Sequence, residues 1–188
     1  MANLPFIATR KEGGPLISIR QEVKTDIEVI RQITREAFEN NQHSNGTEGA
    51  IIDALRATNQ LSLSLVALIR NEISMQDEIV GHIAFSPVTI ENEFLKWYGL
   101  GPVSVAPSKQ RLGVGSALIG VGLNHLKEYL GAKGCVVVGD PDYYKRFGFK
   151  QCMDLKYEGI SPEYFMQIAF NADTLIGRVD YHDSFNAS

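Results

Sequence analysis

The sequence predicts one α/β domain. Its mixed central sheet has antiparallel N-terminal strands and a splayed parallel pair in the middle, with helices on its flanks. Three observations carry this reading. Apolar and polar residues alternate in strand-length segments ahead of residue 106. A segment with helical spacing, Leu112–Leu130, separates the strand Trp97–Ala106 from the apolar run Cys135-Val136-Val137-Val138. A helical crossover of that kind leaves its two strands parallel. Finally, 188 residues with 44% hydrophobic and 21% charged side chains suit a single well-filled core.

Read in order, Met1–Leu16 is polar and is expected to be a loose leader. Ile17–Val23 alternates and predicts a first strand. Thr25-Asp26-Ile27-Glu28 has the form of a capping box, and Ile27, Ile30, Ile33, Ala37 and Phe38 follow as a helical stripe. Asn40–Gly46 reads as an exposed loop and Thr47–Ala57 as a short helix. Leu61–Arg70 and Glu78–Ile90 are strands about a polar hairpin, and a second turn at Glu91–Glu93 leads into Trp97–Ala106. Within that strand Pro102 lacks an N–H, so Gly101-Pro102 predicts a bulge or a place where pairing opens. Leu112, Ile119, Leu123, Leu126 and Leu130 share one helix face, which Gly131–Gly134 ends. Gln151–Tyr157 and Tyr164–Phe170 are the expected last strands. The domain is therefore expected over residues 17–170, and a polar tail, 171–188, follows that the pattern leaves unplaced but free to pack on it.

Composition excludes several classes of function. The net charge of −4 argues against a nucleic-acid partner. No apolar run is long enough for a membrane span or a secretory leader, and a cytoplasmic location is expected. Cys135 and Cys152 form no Cys-x-x-Cys pair and read as small core residues. His43, His82, His125 and His182 are scattered without ligand spacing, so no metal site is expected.

The most informative stretch is Gln110-Arg111-Leu112-Gly113-Val114-Gly115-Ser116, a glycine-rich turn at a helix start. Such a turn leaves N–H groups without partners at the positive end of the helix dipole, which suits a phosphate or pyrophosphate. A helix start that merely needed flexible residues would look the same. A P-loop is set aside because no lysine follows Gly113 or Gly115. A dinucleotide fingerprint is set aside because Leu118 stands where its third glycine belongs, and Pro107-Ser108-Lys109 separates strand from glycines.

A second segment follows the apolar run: Gly139-Asp140-Pro141-Asp142-Tyr143-Tyr144-Lys145-Arg146-Phe147-Gly148-Phe149. Together the two segments resemble the GNAT superfamily of N-acetyltransferases, and the string from Leu100-Gly101-Pro102 onward is similar to its YhbS-type branch. Gln110–Gly115 fits the family's Gln/Arg-x-x-Gly-x-Gly/Ala acyl-CoA loop residue for residue, and Tyr144, four residues before Gly148, falls on its tyrosine.

The resemblance implies a GNAT-like domain that uses acetyl-CoA as co-substrate. The acetyl group would pass to a primary amine of a small molecule or protein by direct attack. It implies that Val103, Ser104 and Val105 line a gap for pantetheine, and that Gln110, Arg111, Leu112, Gly113, Val114, Gly115 and Ser116 hold the pyrophosphate. Tyr144 would protonate the leaving thiolate, or else serve as a packing aromatic, with Tyr143 the other packing residue. Glu48, His82, Glu91 and Glu93 are the conceivable bases, and a water chain is the alternative. Many relatives place an asparagine seven residues before the tyrosine, where this chain has Val137, with Asp140 the nearest polar substitute. A homodimer is compatible with all of this. An acyl-CoA sensor on the same fold and a nucleotide-binding enzyme are the rival readings.

Overall fold

The computed structural model describes residues 7–10, 13–39, 46–71, 73–151, 153–171 and 175–187. Strands β1 (Ile7–Arg10) and β2 (Leu16–Gln21) pair antiparallel at its start. β1 lies inside the leader expected to be loose. Ile7 packs on the core that holds Ile17 and Ile19, and that contact draws the segment onto the sheet edge.

A 3-10 turn, Lys24–Asp26, feeds α1 (Ile27–Phe38), and α2 (Glu48–Ala57) follows. The expected Thr25–Glu28 capping box does not form. Asp26 instead accepts the Val23 N–H at 2.8 Å, and Arg20 grips the same carboxylate at 2.6 and 3.0 Å. A buried carboxylate held by a guanidinium accepts more strongly than a threonine hydroxyl. Most of the Asn40–Gly46 loop, with His43, lies outside the described residues.

β3 (Leu63–Arg70), β4 (Asp77–Ile90) and β5 (Glu93–Val105) continue as an antiparallel meander. α3 (Val114–Glu128) then crosses over to β6 (Gly134–Val138), which runs parallel to β5 as expected. After α4 (Pro141–Tyr144) come β7 (Lys150–Gln151), β8 (Leu155–Lys156), β9 (Phe165–Ala169) and β10 (Gly177–Tyr181). The sheet runs β1-β2-β3-β4-β5-β6-β9-β7, with β10 on β4 and β8 on β10.

The last third departs from expectation in two places. Gln151–Tyr157 is not one strand, because its ends pair with different neighbours: β7 with β9 and β8 with β10. Cys152 falls outside the described residues. The unplaced tail contains β10, which adds to the sheet beside Val88–Ile90 and buries Val179 completely.

The two sheet faces are filled differently. α3 sets Val114, Leu118, Ile119 and Leu126 against Phe85, Leu100 and Val137 on one face. α1 and α2 bring Ile30 and Ile52 to Val66, Leu68 and Ala84 on the other. Each such large side chain, fully buried, contributes about 1.5–3 kcal/mol. No helix among the described residues is long and apolar enough to cross a membrane.

Candidate active site

β5 and β6 stay paired only from Trp97–Gly134 to Leu100–Val137. Gly101-Pro102 comes next, and β5 runs on to Val105 with β4 alone, its register slipping between Ile83 and Phe85. The strands therefore part where the proline predicts. Which backbone groups face the gap follows from the ladder. Ala106 donates its N–H to Val80 C=O, and bonding alternates by two along an antiparallel pair. Ser104 is thus turned to His82, its register partner. Val103 and Val105 turn their N–H and C=O to the gap. Ser104, expected among the lining residues, instead sends its buried hydroxyl to Thr34 of α1, 3.1 Å away.

The glycine loop begins directly after β5. Pro107–Lys109 forms a 3-10 turn, and the Gln110 amide donates back to Val105 C=O at 3.2 Å, closing the loop on its strand. Arg111 and Gly113 both take left-handed backbone, at φ 64° and 92°. For arginine that conformation costs on the order of 1 kcal/mol. α3 starts at Val114, two residues later than the spacing predicts, since Gly113 turns the chain and leaves Leu112 outside and exposed. The first bond to Gly113 C=O comes from Ala117. The N–H groups of Val114, Gly115 and Ser116 precede it and have no partner within the helix. Val114 buries its side chain, so only its backbone is available at the loop.

The second segment folds onto this loop. Asp140 caps α4 by accepting the Asp142 N–H at 2.9 Å, with Pro141 at the first turn. Tyr143 lays its hydroxyl over Gly115, where a β-carbon would come within 2.7 Å of it. The Arg146 guanidinium lies 4.4 Å above the Tyr143 ring. Tyr144 turns inward, 8% exposed, edge-on to Phe149 at 5.8 Å and against Gly139, just past the end of β6. Burial pushes its phenol up from its ordinary value, so it is protonated at neutral pH. Val137, at the family's asparagine position, is buried in the core.

Among the conceivable bases, Glu91 and Glu93 lie at the far end of β5. Glu93 is roughly 25 Å from Gly101 at strand rise, and Glu91 accepts the Arg178 N–H. Glu48 stands in the first turn of α2. His82 is fully enclosed. Its Nε2 lies 2.7 Å from Ser64 Oγ and 3.6 Å from Glu22, while Ser64 donates to that carboxylate. Arg56 adds two bonds to Glu22, at 2.8 and 3.0 Å. Burial works to raise the Glu22 carboxyl, but the bonds from His82, Arg56 and Ser64 outweigh it and hold it at about 2. Burial lowers His82 against the pull of Glu22. Nothing local in the sequence marks Glu22. Among the described residues no group of His, Cys, Asp and Glu is arranged to hold a metal.

A family model described as an acetyltransferase (GNAT) domain matches residues 18–152. The chain belongs to the GNAT acetyltransferases. It is 32% identical over 174 residues to the Escherichia coli K12 protein described as uncharacterized N-acetyltransferase YhbS, covering 89% of this chain and 98% of that one. A GNAT family acetyltransferase from Brucella melitensis, solved in complex with acetyl-CoA, is 47% identical with a TM-score of 0.76, covering 90% and 97% of the two chains. The Escherichia coli YhbS crystal structure in complex with CoA superposes with a TM-score of 0.80 at 29% identity, covering 99% and 96%. In this GNAT chain the parallel pair, its opening at Gly101-Pro102 and the helix start at Val114 stand in the order the resemblance implies.

Proposed function

We propose that the protein moves the acetyl group of acetyl-CoA onto a primary amine by direct attack in a ternary complex. One observation carries this reading. The gap-facing amides of Val103 and Val105 lie a few residues ahead of the N–H groups of Val114, Gly115 and Ser116, which have no helical partner. An extended, amide-bearing chain that ends in a pyrophosphate matches both, pairing first as an added strand and then capping a helix. The relatives solved with acetyl-CoA and with CoA support the same ligand.

The neutral amine attacks the thioester carbonyl, and the C–N bond forms as the C–S bond breaks. A gap-facing N–H of Val103 or Val105 stabilises the oxyanion. Tyr144 gives its proton to the departing thiolate. The enclosure that makes the phenol a weaker acid makes a buried thiolate a stronger base, so one buried anion replaces another. The amine's proton leaves through water in the gap. Cys135 is no rival nucleophile in this reading: it is fully buried, and burial pushes its thiol far from ionisation.

In this proposal the acyltransferase unit spans residues 17–170, and the protein acts in the cytoplasm, alone or as a homodimer. One observation favours a second reading, an acyl-CoA sensor: Trp97–Val105 carries no carboxylate. Thiol release from acetyl-CoA, followed across a panel of amines and peptides, separates the two. Turnover with an amine is the expected result. Tight binding without turnover across the panel supports the sensor, and no binding at all overturns both.

A further inference from the structure

The geometry points to Arg146 as a second wall of the pyrophosphate site, holding the diphosphate of coenzyme A against the start of α3 from the α4 side. This rests on the proposed use of acetyl-CoA.

Arg146 follows α4 and is exposed, yet its guanidinium has a defined position. Nε donates to Tyr143 C=O at 2.8 Å, and Cζ stands over the Tyr143 ring, 4.4 Å from its centre. That ring is itself placed, because its hydroxyl lies directly over Gly115 in the first turn of α3. Arg146 is thereby tied through one aromatic ring to the N–H groups that begin α3. The neighbouring Lys145 has Asp142 at 3.7 Å. No carboxylate lies within ion-pair distance of Arg146 among the described residues.

With Nε occupied, the four terminal N–H groups remain available in a planar fork suited to two oxygens of an anion. Stacking on Tyr143 reduces the rotamer freedom such a long side chain loses on binding. The helix start supplies backbone donors but only about half a positive charge. A diphosphate carries more negative charge than that, and Arg146 adds a full positive charge on the other side.

The test is calorimetry with CoA, dephospho-CoA and pantetheine on wild type, Arg146→Gln and Arg146→Lys. Wild type should bind CoA, and Arg146→Gln should weaken CoA about ten- to a hundredfold. The same loss should appear with dephospho-CoA, which keeps the diphosphate, and no loss with pantetheine, which lacks it. Arg146→Lys should fall between, since it keeps the charge and loses the fork. Equal CoA affinity in wild type and Arg146→Gln overturns this inference and leaves the proposed function standing. A loss confined to CoA, absent with dephospho-CoA, assigns Arg146 to the 3′-phosphate and overturns the diphosphate role. A wild-type protein that binds no CoA overturns the proposed function itself, and this inference with it.

Discussion

The hydroxyl of Tyr143 lies 2.7 Å from the point where a β-carbon on residue 115 would stand. Two segments far apart in the chain, the glycine loop and the tyrosine pair, are joined there. Gly115 is therefore required by a neighbour's hydroxyl. Gly113 is required by its own backbone, at φ 92°.

Substitution separates those two demands. Gly115→Val should displace Tyr143 and crowd the helix start, lowering CoA affinity tenfold or more, about 1.4 kcal/mol. The melting temperature should change little, because the helix itself tolerates valine. Gly113→Val should cost both affinity and about 1–2 kcal/mol of stability through its left-handed conformation. Calorimetry with CoA and a thermal melt check the pair. Unchanged affinity in Gly115→Val would remove the loop from the binding site.

The two adjacent tyrosines should fail in opposite ways. Tyr144→Phe keeps the ring against Phe149 and removes the proton donor, so kcat should fall by about 10²–10⁴-fold while CoA affinity holds. Tyr143→Phe removes the hydroxyl that lies over Gly115 at the start of α3, so CoA affinity should weaken several-fold while kcat at saturation is nearly kept. Steady-state kinetics with the first amine that turns over, together with CoA calorimetry, read both. A Tyr144→Phe enzyme with near-wild-type kcat, where chemistry limits the rate, returns Tyr144 to a packing role.

Glu22 sets a pH dependence of stability. Its folded carboxyl titrates at about 2, against an ordinary value of 4.5. Between those values the unfolded chain binds the extra proton, so stability rises with pH there. The contribution is complete above about pH 5 and is lost as pH falls toward 2. Glu22→Gln should flatten this acid limb and destabilise the fold by about 1–3 kcal/mol near neutrality, because Arg56 loses its two-bond partner. Urea unfolding from pH 2 to 7 measures both. An unaltered acid limb in Glu22→Gln would show that other carboxylates carry it.

What the sequence alone determined is what local geometry dictates. A glycine-rich helix start, the stripe of α1 and the crossover through α3 are set by residues a few positions apart, and periodicity reports them. So is the opening at Gly101-Pro102, since a missing N–H interrupts a ladder wherever it falls. The tertiary structure decided what depends on partners far along the chain. Ile7–Arg10 and Gly177–Tyr181 are polar or short as sequence, and they become strands because β2 and β4 offer them unpaired edges. Glu22, Ser64 and His82 meet only because β2, β3 and β4 lie side by side, and their shared burial turns ordinary polar residues into one network. Ser104 shows the limit most clearly. The sequence places it between two gap-facing valines, but which way its backbone turns is set by the ladder phase against β4, and that phase exists only once the strands have paired.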